Sequence, residues 1–246
     1  MLIIAGPCAI ESEEQMLQTA KVVKECGVGY LRAGAYKPRT SPHSFQGLGQ
    51  KGLEIASLAA KIFKLKTVTE VMDTRDVELV AKHADVLQIG SRNMQNFALL
   101  KEVGRSKMPI ILKRGLAATV SEWLSAAEYI EAEGNTQIIL CERGIRTFCD
   151  HMRNTLDLSV VPYIKKYSKF PIIVDPSHAT GESEFVIPMA KAALAAGCDG
   201  LMLEIHPQPE KAMCDGQQSL TLEQFKSFMI KEHLFAKGVE ERVSTF

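Results

Sequence analysis

The chain carries no excess of charge of either sign. Its 29 Lys and Arg balance 29 Asp and Glu, for a formal net charge of zero and a pI near 7.0. That balance excludes a protein that holds nucleic acid or a membrane surface through a broadly basic face, so any anion site has to be built locally. No apolar run reaches the ~18 residues that a membrane span requires. Residues 1–7 are too short for a signal peptide and read as a strand entering a turn. No CxxC spacing occurs among the six cysteines, at 8, 26, 141, 149, 198 and 214. In a chain of this size that pattern fits a reducing compartment rather than a disulfide scaffold, and a cytoplasmic location is expected. Internal repeats, low-complexity segments and linkers are also missing, which leaves one compact unit built from 246 residues.

What is present is a regular alternation. Apolar runs at 2–5, 30–35, 66–72, 86–90, 109–112, 137–140, 171–174 and 200–203 predict eight strands. Continuously apolar strands are those of a parallel sheet buried on both faces. Between them lie helical stripes, such as Leu53, Ile55, Ala56, Ala59 and Ile62, and helices at about 74–83, 159–167 and 184–196. Capping-box patterns at Ser12–Gln15, Thr119–Glu122 and Thr221–Gln224 open three of the helices, the last running to about 236. Eight strand–helix units of this length predict an α/β chain folded as a single-domain (β/α)₈ TIM barrel over 1–236, with 237–246 as a tail or interface element. An open doubly wound sheet is the alternative, but it seldom has eight strands so evenly followed by helices.

The polar chemistry collects at one phase of that alternation. After the predicted strands stand Cys8; Arg32 with Lys37; Glu70; Arg92; Lys113; Arg143; Asp175 with His178; and Glu204 with His206. The C-terminal ends of barrel strands are where active sites form. The segment after Arg32 adds Lys37, Arg39, Thr40, Ser41 and Ser44, stiffened by Pro38 and Pro42. Such a loop could be a solvated basic turn. Five cations from four strand ends converging over one axis, however, call for an anionic ligand such as phosphate or carboxylate, because like charges repel. Cys8, His178, Glu204 and Asp215 follow the first, seventh and eighth strands, which adjoin when a barrel closes. A thiolate, imidazole and carboxylate set suits a borderline divalent ion, with His206 standing as a rival to His178.

Several segments together resemble 3-deoxy-D-arabino-heptulosonate 7-phosphate (DAHP) synthase, in the branch related to 3-deoxy-octulosonate 8-phosphate synthase. They are Gly6-Pro7-Cys8-Ala9-Ile10-Glu11-Ser12, Lys37-Pro38-Arg39-Thr40-Ser41, Ser44-Phe45-Gln46-Gly47, Ile89-Gly90-Ser91-Arg92-Asn93, Leu112-Lys113-Arg114-Gly115, Cys141-Glu142-Arg143-Gly144, Asp175-Pro176-Ser177-His178, and Glu204-Ile205-His206-Pro207 through Asp215-Gly216-Gln217-Gln218-Ser219-Leu220. They occur in the family's order over residues 1 to about 230.

The resemblance implies a (β/α)₈ barrel that condenses phosphoenolpyruvate with erythrose 4-phosphate at the entry to the shikimate pathway. It implies Cys8, His178, Glu204 and Asp215 as ligands of one divalent ion (Mn²⁺, Fe²⁺, Co²⁺ or Zn²⁺). Arg92, Lys113 and Arg143 would hold phosphoenolpyruvate, with Arg32 and Lys37 completing that pocket and Glu70 beside it. Arg39 and Thr40 would hold the sugar phosphate. Lys37, with a pKa depressed by neighbouring cations, is the expected acid for the former aldehyde oxygen, with a metal-bound water as the rival, and Cys8 and His178 are the other expected catalytic residues. Ala33 stands where the family leads one to expect glycine. The octulosonate synthase, which takes arabinose 5-phosphate, is the alternative. Its loop typically reads Lys-Ala-Asn-Arg-Ser-Ser, against Lys37–Ser41 here, and its metal-free forms replace the cysteine with Asn. The resemblance also leads to a homodimer or homotetramer. Relatives often carry an N-terminal regulatory or chorismate mutase domain, and as a departure from them none is expected before Gly6.

Overall fold

The computed structural model describes residues 1–234. The expected tail at 237–246 and the expected helix end near 236 lie outside the described residues. Eight parallel strands run in chain order: β1 Leu2–Gly6, β2 Tyr30–Arg32, β3 Lys66–Glu70, β4 Val86–Ile89, β5 Ile110–Lys113, β6 Ile138–Glu142, β7 Ile172–Val174 and β8 Gly200–His206. Each pairs with its neighbour, and β1 pairs with β8, from Leu2 opposite Gly200 to Gly6 opposite Glu204. The sheet is therefore closed, as the strand–helix count predicts. A ninth strand, β9 Leu220–Thr221, adds to β8 through Ile205 opposite Leu220. Two residues of strand leave no periodicity to read.

The pleat divides each apolar strand between two cores. Leu2, Ile4, Val68, Val86, Ile111, Ile139, Cys141, Ile173 and Met202 pack together inside the barrel. Their strand neighbours, among them Ile3, Ala5, Leu87, Ile110, Leu112, Leu140 and Val174, face the surrounding helices. Those helices are α1 Glu13–Glu25, α2 Gln50–Phe63, α3 Val77–Ala81, α4 Phe97–Arg105, α5 Val120–Ala132, α6 Val160–Tyr167, α7 Pro176–Thr180, α8 Ser183–Ala195 and α9 Leu222–Lys231.

The helix ends differ instructively from the sequence expectation. The capping boxes of Thr119 with Glu122 and of Thr221 with Gln224 both close. At α1 only half forms: Ser12 Oγ accepts from Gln15 N–H, while the Gln15 side chain accepts from Glu11 N–H instead of Ser12. The helix expected at 74–83 is a 3₁₀ turn, Thr74–Asp76, followed by the short α3. α7, read from sequence only as the end of the seventh strand, is a five-residue helix. Asp175 accepts from His178 N–H at its start, and Pro176 occupies the first turn, where no N–H is needed. α9 ends at Lys231, short of the expected end.

Candidate active site

The two-residue period of the strands carries directly into the site. Moving two residues on from the interior side chains Tyr30, Val68, Val86, Ile111, Cys141, Ile173 and Met202 leads to Arg32, Glu70, Gln88, Lys113, Arg143, Asp175 and Glu204. All seven are buried. The apolar interior thus ends in a polar layer at the C-terminal rim, on the same inward phase.

Above that layer lies a cavity of about 350 Å³. Lys37, Arg39, Thr40, Glu70, Arg92, Lys113, Arg143, His178 and Asp215 are among the residues on its walls. These are nine of the residues expected at the site. Arg32 is not among the lining residues. It lies beneath, with Nη1 2.6 Å from Glu204 Oε1 and donating to the Pro7 carbonyl at 2.7 Å. The structure therefore places Arg32 as a counter-ion of Glu204 beneath the cavity. Arg92 is exposed on the rim and donates to Thr40 Oγ1 at 3.5 Å, so it sits at the seam between the two expected subsites. Arg39 Nη1 lies 2.5 Å from Cys214 Sγ.

Cys8, His178, Glu204 and Asp215 come together, with one ligating atom from each inside a span of 4.8 Å. His206 is elsewhere: its Nδ1 accepts from Gln208 N–H and its Nε2 faces Glu11 Oε2 at 3.6 Å. The donor set fits a metal ion on this geometry. His178 Nδ1 is 2.7 Å from Asp175 Oδ2, which as an acceptor fixes the tautomer with Nδ1–H and leaves the Nε2 lone pair for the cluster. Nε2 lies 3.3 Å from Glu204 Oε1, a buried oxygen with no hydrogen bond of good geometry. Cys8 Sγ lies 3.1 Å from Asp215 Oδ2. Two carboxylates, a thiol and an imidazole facing one point make a site for a divalent cation among these residues.

Electrostatics keep the layer in order. Burial pushes the Cys8 thiol up, and its contact with Cys214 and the charge of Glu204 push it further. Burial brings His178 down to about 4, against the opposing pull of Asp175 and Glu204, so the ring is neutral at pH 7 and ready to ligate. Burial alone would raise Asp175, but His178 and Lys113 hold it well below the usual range. With His178 neutral, the Lys113 contact of 2.6 Å carries that pairing. Lys37 departs from expectation. Burial lowers it, as does Arg32, but Cys8 when ionised, together with Glu70 and Glu204, outweighs both and holds the ammonium above its ordinary value. The expected depression counted the cations and missed the acidic floor.

Sequence reasoning missed Gln88, Arg146, Arg153 and Asn154, which also line the cavity. The last three follow β6 in a stretch with no periodicity. The one available signal was two further arginines just beyond the Arg143-Gly144 strand end. Arg114 turns out to be structural, pairing with Glu142 and Asp157 at 3.0 Å each. Two glycines make room for the site. A Cβ on Gly34 would lie 2.1 Å from the Cys8 carbonyl oxygen, and one on Gly90 would lie 2.0 Å from Glu70 Oε1. Asp215 itself adopts the left-handed region, at φ 51°, which Asp tolerates better than most residues.

A curated relative, the phospho-2-dehydro-3-deoxyheptonate aldolase of Thermotoga maritima, is 54% identical over 240 residues, covering 97% of this chain and 71% of the relative. The crystal structure of a Thermotoga maritima DAHP synthase superposes with a TM-score of 0.93 at 52% identity, over 96% of this chain and 69% of that one. A truncated form of the synthase from the same organism gives 0.89 at 48%, over 96% and 86%. Identity falls to 30% for the 2-dehydro-3-deoxyphosphooctonate aldolase of Desulfotalea psychrophila, over 98% of this chain and 91% of that relative. The family model described as the DAHP synthetase I family matches residues 1–238. With the family model matching nearly the whole chain and a relative more than half identical, the chain belongs to the DAHP synthetase I family.

Proposed function

We propose that the chain condenses phosphoenolpyruvate with erythrose 4-phosphate and water to give 3-deoxy-D-arabino-heptulosonate 7-phosphate and phosphate, the first step of the shikimate pathway. The observation that carries this reading is the junction of two chemistries in one cavity: seven cationic side chains on its walls and the four-ligand cluster at its base. Phosphoenolpyruvate presents a carboxylate and a phosphate on three carbons, and the sugar brings a second phosphate. Both need rigid cations.

Lys113 and Arg143, buried at the strand ends, hold phosphoenolpyruvate, with Arg92 closing from the rim. Lys113 has three donors. One is committed to Asp175, which fixes the ammonium and leaves others for the substrate. Arg39 and Thr40 hold the sugar phosphate at the opposite side. Fixing C3 of phosphoenolpyruvate against the aldehyde carbon removes several kcal/mol of barrier. Cys8, His178, Glu204 and Asp215 would hold one divalent ion of the Mn²⁺, Fe²⁺, Co²⁺ or Zn²⁺ type. When bound, the ion supplies Lewis-acid polarisation of the aldehyde oxygen. As the C–C bond forms, that oxygen collects a proton, and Lys37 holds one at Nζ. C2, now oxocarbenium-like, takes water. The resulting hemiketal phosphate breaks its C–O bond and releases phosphate.

The test follows loss of phosphoenolpyruvate ultraviolet absorbance with erythrose 4-phosphate, with arabinose 5-phosphate, and after chelation. The expected result is turnover with the four-carbon sugar, abolished by chelator and restored by Mn²⁺. Preference for arabinose 5-phosphate would sink the reading of the Lys37–Ser41 loop.

A further inference from the structure

Gln218 is buried and follows Asp215 by three residues. Its two amide ends meet two different charged groups. Oε1 accepts from Arg153 Nη1 at 2.6 Å, and Nε2 donates to Glu204 Oε2 at 2.5 Å. This orientation is forced by chemistry: arginine only donates and a carboxylate only accepts, so a flipped amide would lose both contacts. Arg153 in turn lies 3.5 Å from Asp215 Oδ1. Each carboxylate of the cluster therefore has one oxygen held from outside and the other facing inward. Glu204 Oε2 is held by Gln218, while Oε1 faces His178 at 3.3 Å and is met from beneath by Arg32 Nη1 at 2.6 Å. Asp215 Oδ1 is met by Arg153, while Oδ2 faces Cys8.

We propose that Gln218 is a positioning residue of the metal site, oriented by Arg153, and that it sets the inward oxygen of Glu204. The inference rests on the reading of the cluster as a metal site. A free carboxylate of a glutamate rotates about its last torsion with little preference. Arg32 meets Oε1 and Gln218 holds Oε2, so the two contacts together set the plane of the carboxylate, and removing Gln218 leaves it free to turn about the Arg32 contact. Outer contacts of this kind typically change metal affinity 10- to 100-fold when removed.

The experiment titrates metal-free protein with Co²⁺ under reducing, anaerobic conditions. It reads affinity by chelator competition and the thiolate-to-cobalt absorption band. Gln218→Met is nearly isosteric and changes no charge, so any altered affinity reports position and not electrostatic attraction. The expected result is Co²⁺ binding weaker by about 10- to 100-fold, a shifted or broadened cobalt spectrum, and a melting temperature of the metal-free protein close to that of the wild type. Should Gln218→Met fail to fold cooperatively, Gln218→Asn carries the same measurement. It keeps a polar amide yet ends one methylene short of Glu204, and it is expected to weaken binding likewise. If the wild type binds Co²⁺ and the folded variant matches it in affinity and spectrum, the inference falls and the metal site stands. If the wild type takes up no Co²⁺, the metal site falls and the inference with it.

Discussion

Lys37 shows how a single residue can be placed correctly and charged wrongly. Its position after β2 was legible, because cations gathered at strand ends on one phase. Its environment was not, because Glu70 and Glu204 come from strands 33 and 167 residues away in sequence and become its neighbours only when the barrel closes. An ammonium held above its ordinary pKa is fully protonated at neutral pH. In the proposed reaction it would then be a reservoir of one proton rather than a half-titrated acid. Replacing it by Lys37→Gln is expected to lower kcat by ~10²- to 10⁴-fold, the usual worth of a positioned proton donor, with a smaller change in KM for phosphoenolpyruvate. Steady-state kinetics decides this: a raised KM with intact turnover would make Lys37 a binding residue only. Arg32 teaches the same lesson. Its strand position was read correctly, but its partner Glu204 sits on β8, and only closure of β1 on β8 puts them together.

At the level of elements, strands were more legible than the loops that use them. Continuously apolar runs mark parallel strands, and their period places Glu70, Lys113, Arg143 and Glu204 inward two residues beyond the interior layer. The segment between β6 and α6 has no such period, which is why Arg146, Arg153 and Asn154 escaped notice. Glycine at a strand end is a finer signal. Gly90 follows β4, and a Cβ there would fall 2.0 Å from Glu70 Oε1, so Gly90→Ala must move that carboxylate. A stability cost of about 1–3 kcal/mol is expected, with loss of activity out of proportion to the fall in melting temperature. Wild-type kinetics for this variant would mean that Glu70 is dispensable. Thr119→Ala is the contrasting case. It removes the capping box of α5 at the exposed Thr119, a residue that does not line the cavity. The expected cost is about 1 kcal/mol, read as a fall of roughly 2–4 °C in melting temperature for a chain of this size, with kcat and KM unchanged. Together the two variants separate the helices that stabilise the barrel from the rim that does its chemistry.

Over the whole molecule, zero net charge conceals a strong segregation. The cavity wall carries Lys37, Arg39, Arg92, Lys113, Arg143, Arg146 and Arg153 against Glu70 and Asp215 as its carboxylates, so the compensating acidic residues lie elsewhere on the chain. The sequence made the neutrality plain and the convergence partly so. The size of the imbalance depended on which cations face inward, and Arg114 with its two carboxylate partners shows that not all do. A neutral protein with a cationic cleft draws dianionic and trianionic substrates by a local field rather than by overall attraction. That field is screened by salt: the Debye length falls from ~30 Å at 0.01 M to ~3 Å at 1 M ionic strength. On the proposed reading, the buried Lys113 and Arg143 would meet substrate shielded from bulk ions, whereas the exposed Arg92, Arg146 and Arg153 would not. Raising salt across that range is therefore expected to increase KM for phosphoenolpyruvate and for erythrose 4-phosphate several-fold while leaving kcat within about twofold. The measurement is a set of saturation curves at fixed pH and saturating metal. Michaelis constants that stay flat across the series would show that the exposed arginines contribute nothing to capture and that the buried pair alone accounts for substrate affinity.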